Sequence, residues 1–252
     1  MPSILLTNDD GYGAPGLMAL ERALAGLGEV TVVAPDRERS SASHALTLHR
    51  PLRVRSRGAR HFVVDGTPTD CVYLGVVLPL VSRPDLVVAG INCGLNVGDD
   101  VTYSGTVAAA FEAALLGVPA FAVSRDSGHG DAYAAAAELA SEVARHVLDR
   151  GLPPDTILNV NTPGAPPRGV RFTRQGKRVY TQSVVERRDP RGSVYYWIGG
   201  EPTPISTDPD SDLAAILQGY AAITPLKLDL TDQHTLEQIA AWSFHASARA
   251  GE

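Results

Sequence analysis

The sequence predicts an α/β fold, with a Rossmann-like, mostly parallel sheet flanked by helices and then a C-terminal β-hairpin arm and a terminal helix. In the first half, short and almost wholly apolar runs alternate with helical stretches, which is typical of a parallel sheet covered on both faces. After residue 163 the chain becomes rich in Pro, Arg, Tyr and Val. We therefore expect an α/β core over residues 1–165 and a C-terminal part over residues 166–252.

Five apolar runs are the predicted parallel strands, at residues 4–6, 29–34, 85–89, 120–123 and 156–160. The segments between them show helical patterns around residues 17–27, 69–81, 104–116 and 131–149. Residues 46–64 differ, because three short runs at 46–48, 52–54 and 62–64 alternate or pair like antiparallel strands. We expect these three runs to extend one edge of the sheet.

The second half contains the elements of the predicted arm. Strand-like runs lie at 170–173, 178–185 and 193–198, followed by a loop at 199–210, a short helix at 212–218, strands at 220–224 and 226–230, and a last helix at 236–246. A two-stranded ribbon is only marginally stable in water, and this one carries many large apolar side chains. We therefore expect it to pack on a neighbouring subunit; the alternative is that it folds back on its own sheet.

Composition excludes several functional classes. The 252 residues are 44% hydrophobic, which is ample for a full core, and the net charge of −6 argues against binding to a nucleic-acid polymer. Two cysteines form no disulfide framework, so a reducing compartment is expected. With no signal peptide and no apolar run of about 18 residues, we expect a cytoplasmic protein without a membrane partner.

The most informative residues are two adjacent aspartates, Asp9 and Asp10, which end the first apolar run. In an open α/β sheet, ligands bind just outside the carboxyl ends of the strands. Two carboxylates placed there repel each other and are costly to desolvate, and a divalent cation relieves both problems. The alternative is a turn with solvated aspartates. The following G-x-G-x-x-G spacing is a weak dinucleotide signal, since the acid pair would face a pyrophosphate.

Three further loops follow or lie near predicted strand ends. The Ser-rich loop at 36–44 offers hydroxyl ligands or ordinary caps, and Asn92 and Asn96 supply amide groups to a metal or a phosphate or simply form turns. The Ser104–Gly105–Thr106 sequence begins an Ala-rich helix, where free N–H groups and the helix dipole favour an anion. A plain N-cap by Ser104 is compatible with that site.

Several motifs occur in a fixed order along the chain and together resemble those of the SurE family of survival proteins. They are LLTNDDGYGAPG, VVAPDRERS, GTPTDCVYLG, GINCGLNVGDD and YSGTVAAAFEA, with GYAAITPL near the C-terminus. The resemblance covers nearly the whole chain. It implies a metal-dependent phosphomonoesterase that hydrolyses nucleoside 5'- and 3'-monophosphates, often with some exopolyphosphatase activity.

The resemblance also implies roles for single residues. Asp9, Asp10, Ser40 and Asn92 would hold one divalent cation per subunit, Mg²⁺ or Mn²⁺, with Asp9 or Asp10 also acting in catalysis. Asn96, Ser104, Gly105 and Thr106 would bind the phosphate of a nucleoside monophosphate substrate. The family often has Gly after the ligand serine, where this chain has Ser41. Homodimers or homotetramers built through the C-terminal arm and helix are also implied.

Two other functions remain open from the residues. One is a phosphatase with an aspartyl-phosphate intermediate on Asp9. That chemistry usually spaces its two aspartates by one residue and needs a later lysine, whereas this chain has only Lys177 and Lys227. The other is a non-catalytic nucleotide-binding regulatory protein, which explains the glycine-rich loops but not the acid pair.

Overall fold

A nine-stranded sheet with helices on both faces forms the centre of the computed structural model, which describes residues 1–78, 82–127, 133–177, 179–180, 183–199, 202–203 and 208–242. The strands of the first half are β1 (Ser3–Thr7), β2 (Glu29–Pro35), β3 (Val54–Gly58), β4 (His61–Val64), β5 (Leu86–Cys93), β6 (Ala120–Arg125) and β7 (Thr156–Thr162). Those of the second half are β8 (Val170–Phe172), β9 (Val179–Tyr180), β10 (Ser183–Arg188), β11 (Val194–Gly199), β12 (Pro202–Thr203) and β13 (Ala221–Lys227). The described helices are α1 (Pro15–Leu24), α2 (Pro68–Val77), α3 (Gly105–Leu115), α4 (Tyr133–Arg150), α5 (Asp212–Leu217) and α6 (Gln233–Ile239), and a 3₁₀ turn spans Gly98–Thr102.

The strand order places the functional loops at one crevice. The sheet runs β3-β4-β2-β1-β5-β6-β7-β13-β8, and β4, β2, β1, β5, β6 and β7 are mutually parallel. From β1 the chain first builds outward through β2 and then returns to the other side of β1 with β5. The order therefore reverses between β1 and β5, and ligands of open α/β sheets bind at such a switch point.

Two apolar layers cover the sheet. On one face, Leu17, Leu20 and Leu24 of α1 pack with the buried alanines and valines of α4. On the other face, α2 and α3 pack on Leu5, Val33 and other strand residues. The predicted α/β class, with its mostly parallel sheet and flanking helices, is confirmed.

Glycine at position 16 allows α1 to start directly beneath the end of β5. A Cβ atom on Gly16 would lie 2.0 Å from the carbonyl oxygen of Ile91. Pro15 occupies the first turn, where its missing N–H has no helical partner in any case. The close contact brings the loop after β1 against β5.

Two helices on the other face begin with side-chain caps, of which the Ser104 cap of α3 was predicted. The Thr67 hydroxyl accepts the Asp70 N–H at 3.0 Å, and the Asp70 carboxylate accepts the Thr67 N–H at 2.8 Å, which completes a capping box before α2. The Ser104 hydroxyl accepts the Val107 N–H at 3.1 Å and caps α3. Both helices are thus fixed at the ends that face the crevice.

The edge extension is only partly as predicted. Residues 46–48 form no strand, and the strand expected at 52–54 begins at Val54 and runs on to Gly58. The reason is that Thr47 is held by a side chain rather than by a sheet: its N–H and its hydroxyl both donate to the Asp70 carboxylate, at 2.8 and 2.6 Å. β3 and β4 are antiparallel to each other, but β4 joins β2 in parallel.

The C-terminal part supplies two strands to the main sheet. β13 pairs antiparallel with β7 and parallel with β8. The two strands predicted at 220–224 and 226–230 are one strand, which accommodates Pro225 at an exposed position beyond the segment paired with β8. Strands from both sides of position 165 therefore share one sheet, and the division of the chain at that residue stays a prediction.

The predicted arm is present as a separate ribbon. β10 and β11 form a two-stranded antiparallel sheet of six residue pairs, with no described strand of the main sheet joined to it. The run predicted at 178–185 is divided between β9 and β10, and β9 pairs with β12 inside the predicted loop at 199–210. α6 begins three residues earlier than predicted, and residues 243–246 of the predicted helix lie outside the described residues.

The hydropathy of the helices bears on the membrane question. Within the described residues, no helix combines the length and the apolar character that crossing a bilayer requires.

Candidate active site

The loop that leaves β1 is held in a tight turn by its own side chains. The side-chain amide of Asn8 donates to the carbonyl of Gly11 at 2.9 Å. Gly11 has φ +97°, a conformation that glycine adopts without strain, and a Cβ there would also approach the main chain of Arg37 to 3.0 Å. This turn directs Asp9 and Asp10 into the crevice between β1 and β5.

Asp9 is buried against the start of α3. Its side chain is 5% exposed, and its carboxylate accepts hydrogen bonds from the hydroxyl and the main-chain N–H of Thr106. Burial nevertheless raises the pKa of Asp9, because removing the carboxylate from water outweighs these hydrogen bonds. Gly105 makes the contact possible, since a Cβ at that position would lie 3.1 Å from the Asp9 Cβ.

Asp10 is the more accessible member of the pair. Burial, together with the negative charge of Asp9, raises the pKa of Asp10 to about 6, although the main-chain N–H of Cys93 donates to its carboxylate. Within the described residues, no salt bridge compensates either aspartate. The pair is therefore a site of uncompensated negative charge.

An open, polar cavity of about 490 Å³ lies in front of the two aspartates. Six of the predicted site residues line it: Asp9, Asp10, Ser40, Asn92, Asn96 and Ser104. Three more carboxylates, from Glu38, Asp100 and Asp126, also line it, and none of the described lining residues is Lys or Arg. Gly105 and Thr106 lie behind Asp9 instead of at the cavity surface.

The loop after β2 brings Ser40 to the cavity, but its hydroxyl has another partner. Ser40 Oγ donates to the Glu38 carboxylate at 2.7 Å. The neighbouring Ser41 also lines the cavity and has φ 58°. The loop is joined to the acid pair through its main chain, because the Arg39 N–H donates to the Asp9 carbonyl at 2.7 Å.

Asn92 lies at the end of β5 rather than after it, because the strand runs four residues beyond the predicted limit. The pairing of β5 with β6 shifts register between Ala89 and Asn92. Such irregularities redirect side chains and are common beside active sites. The Asn92 amide donates to the Gly94 carbonyl at 2.8 Å, so its amide NH₂ is turned toward the loop.

Asn96 is held by a buried polar network that was not predicted from the sequence. Asn159 and Asn161, both on β7, donate their side-chain amides to the Asn96 carbonyl, and Ser124 on β6 accepts the Asn96 side-chain amide. The available signal was the Asn-Val-Asn alternation inside an apolar strand, which places two amides on one face of a covered sheet. Asn159 and Asn161 are fully buried.

The donor chemistry of the site fits a hard divalent cation. Two carboxylates, an amide oxygen of Asn92 and a hydroxyl of Ser40 are all oxygen ligands of the kind that Mg²⁺ and Mn²⁺ prefer. Among the described residues there is no cluster of three or more His, Cys, Asp and Glu side chains with the arrangement of a metal site. Of the four predicted ligands, Asp9 and Asp10 are charged and Ser40 and Asn92 are neutral.

Comparison with known proteins gives consistent matches over most of the chain. The family model described as "Survival protein SurE" matches residues 4–182. The 5'-nucleotidase SurE of Geobacter sulfurreducens is 54% identical over 248 residues, covering 97% of this chain and 95% of that protein. The protein of the same name from Geobacter metallireducens is 54% identical over 245 residues, covering 96% and 97%. The crystal structure of the SurE protein from Aquifex aeolicus superposes with a TM-score of 0.85 at 44% identity, covering 94% of this chain and 98% of that one.

Proposed function

Because this chain belongs to the SurE family, we propose that it is an enzyme, a metal-dependent nucleotidase that hydrolyses nucleoside 5'- and 3'-monophosphates to nucleoside and phosphate. The observation that carries the proposal is the uncompensated Asp9–Asp10 pair at the switch point of the sheet, facing a polar cavity. The relatives named 5'-nucleotidase support the substrate class.

The charge of the cavity favours a cation in the reaction. Five carboxylates and no described basic side chain line the cavity. A phosphate monoester dianion is repelled by such a surface unless positive charge is added. We propose one Mg²⁺ or Mn²⁺ per subunit, bound by Asp9, Asp10, Ser40 and Asn92. When bound, the ion supplies Lewis-acid polarisation of the phosphate and activates the attacking water.

The phosphate is assigned to Asn96 and to the start of α3, which lies beside Asp9. Asn96 and Ser104 both reach the cavity surface, and Ser104 opens α3, whose N-terminus favours an anion. Gly105 and Thr106 complete this helix start. Thr106 acts there through Asp9, because its hydroxyl and N–H hold the carboxylate in place. Preorganised donors such as the Asn96 amide and the Ser104 hydroxyl stabilise charge that develops on phosphate oxygens in the transition state.

Of the two aspartates, Asp10 is assigned the role of orienting the attacking water and accepting its proton. Asp9 is 5% exposed and already accepts two hydrogen bonds from Thr106. Asp10 is only half-buried and lines both this cavity and a neighbouring one of about 450 Å³. The same difference weakens the case for an aspartyl-phosphate on Asp9, whose carboxylate faces α3.

The ribbon of β10 and β11 supports a homodimer or homotetramer. Tyr196, Trp197 and Ile198 are 61%, 65% and 92% exposed in the single chain. Contiguous exposed apolar side chains of this size mark interaction surfaces. A second copy of the chain is the proposed partner.

The proposal is tested by phosphate release from a panel of 5'- and 3'-nucleoside monophosphates and polyphosphate, with EDTA and with added Mg²⁺ or Mn²⁺. We expect activity on the nucleotides that EDTA abolishes and metal restores. Asp10→Asn should lose most activity, whereas Asp149→Asn, the same charge change on the exposed surface of α4, should not. Metal-independent hydrolysis, or a trapped phosphoenzyme, would contradict the mechanism.

A further inference from the structure

The segment that carries Asn96 is attached to the sheet by side chains rather than by strand pairing. The Asn96 N–H donates to Asn161 Oδ1 at 2.9 Å, and Asn161 Nδ2 donates back to the Asn96 carbonyl at 3.1 Å. One side-chain amide therefore satisfies both main-chain groups of one residue. Asn159 adds a second donor to the same carbonyl at 2.7 Å.

The side chain of Asn96 is fixed by a different residue. Its amide nitrogen donates to Ser124 Oγ at 2.8 Å. An amide nitrogen carries two N–H groups. The bond to Ser124 uses one of them and sets the rotation of the amide, and Asn96 lines the cavity, so the proposed contact to phosphate falls to the second N–H. Ser124 itself is fully buried.

This arrangement lowers the stability of the sheet. Asn159 and Asn161 occupy positions of a covered strand that ordinarily hold Val or Ile, and Asn159 Oδ1 is buried without a hydrogen-bond partner. A buried polar atom without a partner destabilises the fold. The side chains of Asn159 and Asn161 instead direct their hydrogen bonds to the main chain of Asn96.

We propose that Asn161 and Asn159 are positioning residues for phosphate, which act by fixing the main chain and hence the amide of Asn96. This role rests on the proposed function of Asn96 as a phosphate ligand. Asn161 holds two main-chain groups and Asn159 only one, so their importance differs in that order. Neither residue is among those that line the cavity.

The test measures inhibition by inorganic phosphate in Asn161→Leu and Asn159→Leu, which keep the branching at Cγ and remove the hydrogen bonds. Metal affinity is measured in the same variants by Mn²⁺ titration. Val147→Ala, which shortens a buried side chain of α4, is the control for lost stability without a lost contact to Asn96. Asn96→Ala and the Asn96→Ala/Asn161→Leu double variant complete a double-mutant cycle for these two residues.

We expect the phosphate inhibition constant to rise at least tenfold in Asn161→Leu and less in Asn159→Leu, with Mn²⁺ affinity within threefold of the parent and Val147→Ala unchanged in both. In the Asn96→Ala background, adding Asn161→Leu should raise the phosphate inhibition constant by less than a further threefold. The positioning role would be overturned by any of three results. These are full additivity of the Asn96→Ala and Asn161→Leu effects on phosphate inhibition, unchanged inhibition in Asn161→Leu, or equal losses of phosphate and Mn²⁺ affinity. Unchanged inhibition in Asn96→Ala alone would instead remove the proposed phosphate ligand, and the positioning role with it.

Discussion

Replacing Asp10 by Asn should make the metal-free protein more stable while removing its response to metal. In the folded chain, burial and the neighbouring Asp9 raise the pKa of Asp10 from 3.8 to about 6. A raised carboxyl pKa means that the folded state binds more protons than the unfolded state between these two values. Folding stability therefore falls as pH rises through this window, and the full cost is present above pH 6.

The size of the effect follows from that rise. At about 1.4 kcal/mol per pKa unit, a rise from 3.8 to about 6 corresponds to about 3 kcal/mol. Asp10 is partly exposed, and solvent screening reduces this to about 1–2 kcal/mol. An Asn side chain keeps an oxygen to accept the Cys93 N–H, so the substitution removes the charge and little else.

The assay is urea denaturation at one protein concentration, with EDTA, at pH 7.5 and pH 4. The Asp10→Asn variant should be more stable than the parent by about 1–2 kcal/mol at pH 7.5 and nearly equal to it at pH 4. With saturating Mn²⁺ the parent should gain about 2.7 kcal/mol at 100-fold excess over its dissociation constant, and the variant much less. Asp149→Asn serves as the charge-matched control.

Two results would refute this reasoning. A variant that is less stable than the parent in EDTA at pH 7.5 would mean that Asp10 makes a favourable charged contact. A variant that gains as much stability from Mn²⁺ as the parent would mean that the cation binds elsewhere.

Three further predictions concern the helix start and the arm. Thr106→Val should lower Mn²⁺ affinity about tenfold or more, because Asp9 loses a hydrogen bond to its charged carboxylate that is worth about 1.5–3 kcal/mol. Thr106→Ser keeps the hydroxyl and should retain the affinity. Wild-type affinity in the valine variant would contradict the assignment. Gly105→Ala should abolish most turnover without unfolding, since the new Cβ presses on Asp9, whereas Gly26→Ala meets nothing within 4 Å and should be neutral; a fully active Gly105→Ala would disprove the contact. Light scattering at micromolar concentration should show a dimer or larger for the full chain and aggregation for a chain truncated after Pro167, which lacks two strands of the main sheet; a fully active monomer would exclude the proposed assembly.

Local sequence patterns were sufficient to predict those elements whose structure a single physical rule decides. The five parallel strands and their helices were predictable, since a covered parallel strand is apolar throughout. The caps of α2 and α3 were predictable because a capping side chain acts within three residues. The clustering of Asp9, Asp10, Asn92 and Asn96 followed from the rule that strand ends meet at one edge.

Long-range contacts decided what the sequence did not reveal. Residues 46–48 look like a strand, yet Asp70 lies far along the chain and captures Thr47 by two hydrogen bonds. The support of Asn96 depends on residues 28 to 65 positions away. The hydrogen bond from Thr106 to Asp9 joins two residues that are 97 positions apart in the sequence. No periodicity or spacing rule reports such pairs.

The place of β13 has a consequence for the order in which the chain assembles. β8 follows β7 directly in sequence, but the two strands do not pair, because β13 lies between them. During synthesis, one edge of β7 therefore stays unpaired until residues 221–227 have been made. An unpaired strand edge of this kind is a site for association with other chains. Pairing of this edge thus depends on β13, and premature termination before residue 221 leaves an unpaired strand edge on an otherwise folded core.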